Sequence, residues 1–221
     1  TDTPRNAAAG VYRREILRAA GQGRNRVLVD LGCGPATLIQ RHAAGFRRAV
    51  GVDFADPVIA LARRRCARVP NAELLCADVA RAGDLLPRTA DVLACMNVIT
   101  SASARKREAL GRALAQVAKP GAQLLLVVPS LESMQHVHHC SLARDYESEA
   151  PPRSGLISRS GDLQKFWSEA ELLTVLQRWG FGLKSLHKVR VPWRDEGVVP
   201  ADFRGLPGPW DWLAVAKRAR G

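Results

Sequence analysis

Short apolar runs alternate along the first 130 residues with segments in which apolar residues recur every three or four positions. Five runs are predicted to be strands: 27–31, 49–53, 73–76, 91–96 and 123–128. The segments between them have helical spacing, and Asp56 is predicted to cap a helix that has Pro57 at its first position. Strands that alternate with helices form a mostly parallel sheet covered on both faces, so we expect an α/β fold.

The pattern changes after residue 128. Residues 130–162 form a polar insertion with histidine, proline and glycine, which we expect to be part helix and part loop. Residues 181–191 alternate apolar and polar positions, as an antiparallel edge strand does, and residues 210–217 are predicted to be a last strand. We therefore predict a seven-stranded, doubly wound sheet with an antiparallel C-terminal strand, preceded by a leading helix over 7–20.

The composition is that of an ordinary globular protein. The 221 residues suit a single domain over 1–221, and 47% hydrophobic residues exclude disorder as the main state. No apolar run reaches the roughly 18 residues of a membrane span. Five cysteines without a CxxC pair, after a polar N-terminus, predict reduced thiols and a cytoplasmic location.

The net charge of +12 raises the question of a nucleic-acid partner. Of the 33 basic residues 27 are arginines, but they are scattered, and a chain rich in alanine and glycine acquires arginine by composition alone. Nucleic acid is therefore the less favoured partner, although the charge does not exclude it.

A glycine turn follows the first predicted strand. Gly32 and Gly34 allow a ligand to approach the backbone closely. A dinucleotide-binding motif would have a third glycine where Thr37 stands. Asp30, just before the turn, suits a ligand with an ammonium group and would repel a pyrophosphate. These two residues count against a NAD-dependent oxidoreductase.

Over residues 10–128 the chain resembles the class I S-adenosylmethionine-dependent methyltransferases, and over 163–218 it does so by pattern. Their first motif is an acid followed by glycines at alternate positions, matched here by Asp30, Gly32 and Gly34, with Ala36 in place of the usual third glycine. The resemblance implies S-adenosylmethionine as cofactor and S-adenosylhomocysteine as product.

Two further acids match the family's cofactor ligands. Asp53 ends the second strand, where the family's acid holds the ribose hydroxyls, and Phe54 follows where a ring can pack on adenine. Asp78 follows the third strand, where the family's acid faces the adenine amino group. A turn-stabilising role is the alternative for Asp30, Asp53 and Asp78. The implied cofactor contacts are Asp30, Gly32, Cys33, Gly34, Asp53, Phe54, Asp78, Val79 and Cys95.

Cys33 has the position of a reactive thiol, because a helix N-terminus lowers the pKa of a nearby cysteine. The resemblance nevertheless implies a non-chemical role, since cysteine is common between these glycines.

A histidine cluster in the insertion supplies candidate bases. On a helix, His136 shares a face with both His139 and Cys140, and such a face could hold Zn²⁺. No second cluster supplies the remaining ligands, so we expect no metal. The catalytic group is not identified, and His136, His138 and His139 are base candidates, with packing in a lid as the alternative.

The leading helix and the insertion predict where a methyl acceptor binds. In the family's small-molecule members these two segments cover the acceptor, and we expect 7–20 and 130–162 to form a mobile cover. The candidate pocket residues are Tyr12, Asn97, His138, Trp167 and Trp193. Arg144, Arg153 and Arg159 favour an acceptor with an anionic group. An RNA or protein methyltransferase and a non-catalytic cofactor-binding regulator are the alternative functions.

Overall fold

The computed structural model describes most of the chain from residue 25 onward. The described residues are Arg14, Glu15, Arg18, 25–144, 147–159, 161–196 and 200–220. Within the predicted leading helix, the three described residues are helical and Glu15 pairs with Arg18. The rest of that helix, with Tyr12, lies outside the described residues.

Seven strands form one sheet in the order β3-β2-β1-β4-β5-β9-β8. They are β1 (Val27–Leu31), β2 (Arg48–Asp53), β3 (Ala72–Cys76), β4 (Ala90–Met96), β5 (Ala118–Pro129), β8 (Phe181–Arg190) and β9 (Trp210–Arg218). The first five are parallel, and β9 runs antiparallel to both of its neighbours. The last strand thus inserts between β5 and β8, which confirms the predicted fold class.

Six helices surround the described part of the sheet. They are α1 (Thr37–His42), α2 (Asp56–Arg65), α3 (Ala82–Leu85), α4 (Ala104–Val117), α5 (Leu131–Leu142) and α6 (Glu169–Arg178). Ser103, Ser130 and Ser168 cap α4, α5 and α6, because each hydroxyl accepts a backbone N–H three residues on. At α2 the expected cap is wrong by one residue, since Ala55 is the N-cap and Asp56 is the first helical residue.

The core has one layer on each face of the sheet. Alternate residues of β1 point to opposite faces, so that Val29 packs in the layer under α4 and α6, and Leu28 in the layer under α1 and α2. Trp210 and Trp212 share the α4 side, as their spacing predicts, with their rings in edge contact. The two layers fix the strand ends at which ligands bind in open α/β sheets.

The insertion contains a β-hairpin that the sequence pattern did not predict. After α5, the strands β6 (Leu156–Arg159) and β7 (Asp162–Lys165) pair antiparallel. Lys165 is only 2% exposed, and its ammonium pairs with Glu171 at 2.6 Å and donates to Ser154 O at 2.7 Å. This ion pair, in which only the lysine is buried, ties the hairpin to α6.

The insertion closes on itself at its base. The Trp167 N–H donates to Pro129 O at 2.8 Å, and the Leu131 N–H donates to Trp167 O at 3.0 Å. The chain entering the insertion and the chain that follows the hairpin are therefore hydrogen-bonded to each other beside the end of β5. Among the described residues, no helix is long and apolar enough to cross a membrane.

Candidate active site

The glycine turn lies at the carboxyl end of β1 and is bonded to β2. The N–H groups of Gly32 and Cys33 both donate to Val52 O, at 2.8 and 3.0 Å. Gly32 and Gly34 have φ values of 76° and 52°, which glycine adopts without strain. A Cβ on Gly32 would meet Val98 at 2.2 Å, whereas one on Gly34 would meet nothing within 4 Å. Gly32 is thus needed for packing, and the backbone at Gly34 is open to a ligand.

Asp53 is held beside this turn by two backbone donors. One carboxylate oxygen accepts the Gly34 N–H at 3.0 Å and the other accepts the Ala55 N–H at 3.1 Å. Because each carboxylate oxygen has two acceptor positions, one on each oxygen is left for a ligand hydroxyl. Phe54, the next residue, is 77% exposed and offers an uncovered ring. The pair fits an adenosine with its two ribose hydroxyls.

Asp30 is a buried carboxyl, 3% exposed. Burial, and to a smaller extent the negative charge of Asp53, raises its pKa to about 7. A cation beside it would favour the ionised form, which is the environment that a ligand ammonium supplies. The sequence predicted that this acid faces a ligand ammonium. The structure adds that its raised pKa leaves it about half-ionised near neutral pH.

The cysteines near the turn are not activated. Burial, followed by the charges of Asp30 and Asp53, raises the pKa of the Cys33 thiol, and burial raises that of Cys95. The expectation that the helix N-terminus lowers the Cys33 pKa is wrong, because desolvation and two nearby acids outweigh it. Cys33, Cys95 and Val79 are buried, and their contacts with the cofactor stay predictions.

Asp78 occupies the turn after β3. Its exposed side chain accepts the Ala80 N–H at 2.9 Å and caps the short 3₁₀ turn Val79–Arg81. The turn-stabilising role considered for it is therefore observed. It uses one carboxylate oxygen, and the adenine contact stays a prediction.

The three histidines of α5 have different surroundings. His136 donates from Nε2 to Pro207 O at 2.8 Å, and its ring lies 5.6 Å from the rings of Trp193 and Trp210. His139 donates from Nδ1 to Gln135 O at 2.6 Å. His138 bonds through Nδ1 to the Ser148 hydroxyl at 3.1 Å. His136 and His139 are thus engaged with backbone carbonyls, and within the described segments no three ligating side chains form a metal group.

The two tryptophans that were predicted to line the pocket are both buried. Trp167 is 2% exposed, and its indole donates to Ile99 O at 2.9 Å, so it is a core residue rather than an open pocket wall. Trp193 packs on Phe203 with 4.4 Å between ring centroids. Tyr12 lies outside the described residues.

Asn97 does lie at the expected edge of the sheet. It follows β4 with a φ of 54°, and its amide donates to Asp211 at 3.3 Å. Its Oδ1 atom is buried and has no partner in the described part of the chain. Asp211 was missed by sequence reasoning, although a single acid between two tryptophans of an apolar strand is a visible signal.

The arginines of the insertion do not form a described cluster. Arg144 donates to Asp202 O and lies over the Phe203 ring, and Arg153 is exposed. The side chain of Arg159 lies outside the described residues.

A family model described as a methyltransferase domain matches residues 28–121. This match is consistent with the class I S-adenosylmethionine-dependent methyltransferases, which the sequence resembles. The matched span runs from β1 into β5 and includes the glycine turn, Asp53 and Asp78. S-adenosylmethionine is the cofactor that methyltransferases of this family use. No curated protein matches the chain.

Solved structures share the fold at low identity. A SAM-dependent methyltransferase from Methanosarcina mazei is 18% identical, with 90% of this chain and 94% of that chain covered and a TM-score of 0.64. Magnesium protoporphyrin IX methyltransferase from Synechocystis PCC 6803, with bound SAH, is 15% identical, with 97% and 83% covered and a TM-score of 0.64. The [4+2]-cyclase SpnF is 15% identical, with 96% and 82% covered and a TM-score of 0.69.

Replacing Asp53 by alanine is expected to weaken cofactor binding roughly 10–150-fold, since a charge-assisted hydrogen bond contributes about 1.5–3 kcal/mol. Calorimetric titration with S-adenosylhomocysteine measures the change. Asp84→Ala, which removes an exposed carboxylate from α3, is the matched control and should bind as the wild type does. Equal affinities of the Asp53→Ala variant and the wild type would contradict the assignment.

Proposed function

We propose that this methyltransferase transfers a methyl group directly to a small-molecule acceptor held under the insertion. The observation that carries the proposal is the position of α5, which starts immediately after β5 and packs through Val137 against Trp193 and Phe203 from the loop between β8 and β9. Two segments thus meet beside the edge where the cofactor residues lie. A site enclosed from two sides favours an acceptor small enough to be surrounded.

In this proposal the glycine turn and the residues at the ends of β1, β2 and β3 each contact a different part of the cofactor. Asp53 accepts the ribose hydroxyls, Phe54 packs on adenine, and Asp78 faces the adenine amino group. Asp30 supports the ammonium group, and the open backbone at Gly34 lets the methionine part pass. The cofactor supplies an electrophilic methyl group on its sulfonium, and the chain has to hold the acceptor in line with it.

Among the three histidines, His138 is the one we propose as a base where the acceptor needs one. His136 and His139 donate to backbone carbonyls, whereas the described bond of His138 is to a hydroxyl through Nδ1. A neutral imidazole nitrogen can accept the proton that a hydroxyl or amine acceptor loses. The packing of His136 between two tryptophans supports the alternative, structural role for that residue.

We also propose that residues 1–221 form a single domain in the cytoplasm. The two core layers of the described sheet belong to one continuous set of strands. The five cysteines are free, as expected in a reducing compartment.

The direct test is transfer of a radiolabelled methyl group. Purified protein and labelled S-adenosylmethionine are incubated with carboxylate-bearing small molecules, matched neutral ones, and total RNA. We expect label on small molecules and none on RNA, and label on RNA alone would overturn the proposal. Methyl transfer itself has to be measured, because the fold is also that of the [4+2]-cyclase SpnF.

Replacing residues 134–160 by a short Gly/Ser linker is expected to remove transfer and spare cofactor binding. Loss of acceptor positioning should lower kcat/KM by at least about a hundredfold. The affinity for S-adenosylhomocysteine should stay within about threefold of the wild type. The Asp53→Ala variant should show the opposite pattern, because its main defect is a lower affinity for S-adenosylhomocysteine. Near-normal kcat/KM in the linker variant would place the acceptor pocket elsewhere.

A further inference from the structure

Two tryptophans on one face of β9 differ in how their indole N–H groups are satisfied. Trp212 donates to Glu132 Oε2 at 3.1 Å. Trp210 is 8% exposed, and its Nε1 is buried with no acceptor within the residues that the structure describes. An indole N–H can only donate a hydrogen bond. An unpartnered one therefore has room for an acceptor oxygen of a bound ligand.

Two cations lie over the ring of this same tryptophan. Lys188 Nζ is 4.1 Å and Arg190 Cζ is 5.8 Å from the Trp210 ring centroid. Both side chains come from β8, where Arg190 is directly opposite Trp210 and Lys188 is opposite Trp212. Period-two alternation therefore places both cations on the face of the indoles.

None of the acidic side chains that the structure describes forms an ion pair with these two cations. In the described segments, Lys188 has no carboxylate oxygen within 4 Å, and Arg190 donates one N–H to Gly208 O at 2.7 Å. Glu132 is a described acid on this face, and its oxygens already accept from Trp212, Ser130 and the Glu169 N–H. Asp211, the acid on β9, belongs to the opposite face and accepts from Asn97.

We propose that Trp210, Lys188 and Arg190 form an oxyanion subsite for the methyl acceptor, which takes a carboxylate or a phosphate. One oxygen accepts the Trp210 N–H, and the charge is balanced by Lys188 and Arg190. The Lys188 side chain is long and exposed, so it can turn from the ring to the anion. This proposal rests on the proposed function, because it names the chemistry of the acceptor.

The place of the subsite in the sheet fits an acceptor of modest size. The start of β9 and the end of β8 lie at the same edge as Asp53 and the glycine turn. β9 is two strands from β4, which is about 10 Å at ordinary strand spacing. An acceptor of that length has its anionic end at Trp210 and its nucleophile over β4.

The test measures anion binding to the full chain by calorimetry, in the presence of S-adenosylhomocysteine. Acetate and inorganic phosphate are the probes, and sodium chloride at equal ionic strength corrects for screening. We expect saturable binding of at least one probe, and the stronger of the two identifies the class of anion. Lys188→Met and Trp210→Phe should each weaken it by roughly tenfold or more, since charge-assisted hydrogen bonds are lost. Lys184→Met, on the same strand, should leave it unchanged.

Absence of saturable binding of both probes, or equal weakening by Lys184→Met, overturns the subsite. Lys188→Met replaces an exposed side chain, which keeps the test informative even where Trp210→Phe lowers stability. The outcome is separable from that of the proposed function. Methyl transfer with a KM that Lys188→Met leaves unchanged rejects the subsite alone, and anion binding without any methyl transfer rejects the function alone.

Discussion

A chain that ends at Pro209 is expected not to fold. β9 lies between β5 and β8 and hydrogen-bonds to both, so its removal exposes two strand edges inside the sheet. It also removes Trp210, Trp212 and Leu213 from the core. Burial of each large apolar side chain contributes about 1.5–3 kcal/mol, while a whole domain is stable by only about 5–15 kcal/mol. The loss from these three side chains alone is therefore comparable with the stability of the whole domain, and the two exposed strand edges add to it.

Far-UV circular dichroism and thermal unfolding of the truncated protein measure this. The matched control ends at Ala219, which keeps all of β9 and removes only the last two residues. We expect a cooperative transition for the control and none for the chain that ends at Pro209. A soluble truncated protein that still binds S-adenosylhomocysteine would show that β9 is dispensable.

Replacing Asp30 by asparagine is expected to change the pH dependence of stability and to weaken cofactor binding. The pKa of Asp30 rises from 3.8 to about 7 on folding. Between these values the folded protein keeps a proton that the unfolded chain has lost, so the stability of the wild type falls as the pH rises through this window. The full cost, on the order of 4 kcal/mol, is present above pH 7. Asparagine does not titrate and removes this dependence.

Urea denaturation at pH 5 and pH 8 without cofactor tests the prediction. The stability of Asp30→Asn relative to the wild type should rise with pH by roughly 2–4 kcal/mol. The affinity for S-adenosylmethionine should fall, because the carboxylate no longer faces the ammonium group. In the wild type that affinity should rise with pH through about 7, as Asp30 ionises. Parallel pH profiles for the two proteins would mean that Asp30 does not titrate in this range.

The sheet and its cofactor edge could be predicted because their signals are local. The strands 27–31 and 49–53 are apolar runs that end in acids, and the glycine turn requires specific residues at fixed spacing. Asp53 was predicted from its position after a strand, and the structure gives it two backbone donors beside the turn. The order β5-β9-β8 could not be derived from the residue pattern of these strands alone.

The surroundings of individual side chains could not be predicted, because they depend on residues far away in sequence. The partner of His136 is Pro207 O, 71 positions away, and that of the Trp167 indole is Ile99 O, 68 positions away. The hairpin β6–β7 was missed because its two four-residue strands mix polar and apolar residues without a clear period. The pKa of Cys33 had the wrong sign since burial is a tertiary property.

The closed base of the insertion has a consequence for how acceptor specificity can evolve. Pro129 and Leu131 are bonded to Trp167, so the ends of the intervening chain stay together whatever lies between them. Doubling the length of a loop whose ends are already joined costs only about 0.6 kcal/mol in closure entropy. Segments of different length and sequence can therefore be exchanged between Ser130 and Trp167 while the cofactor half remains unaltered. The site for the methyl donor can therefore stay the same in evolution while the segment that selects the methyl acceptor changes.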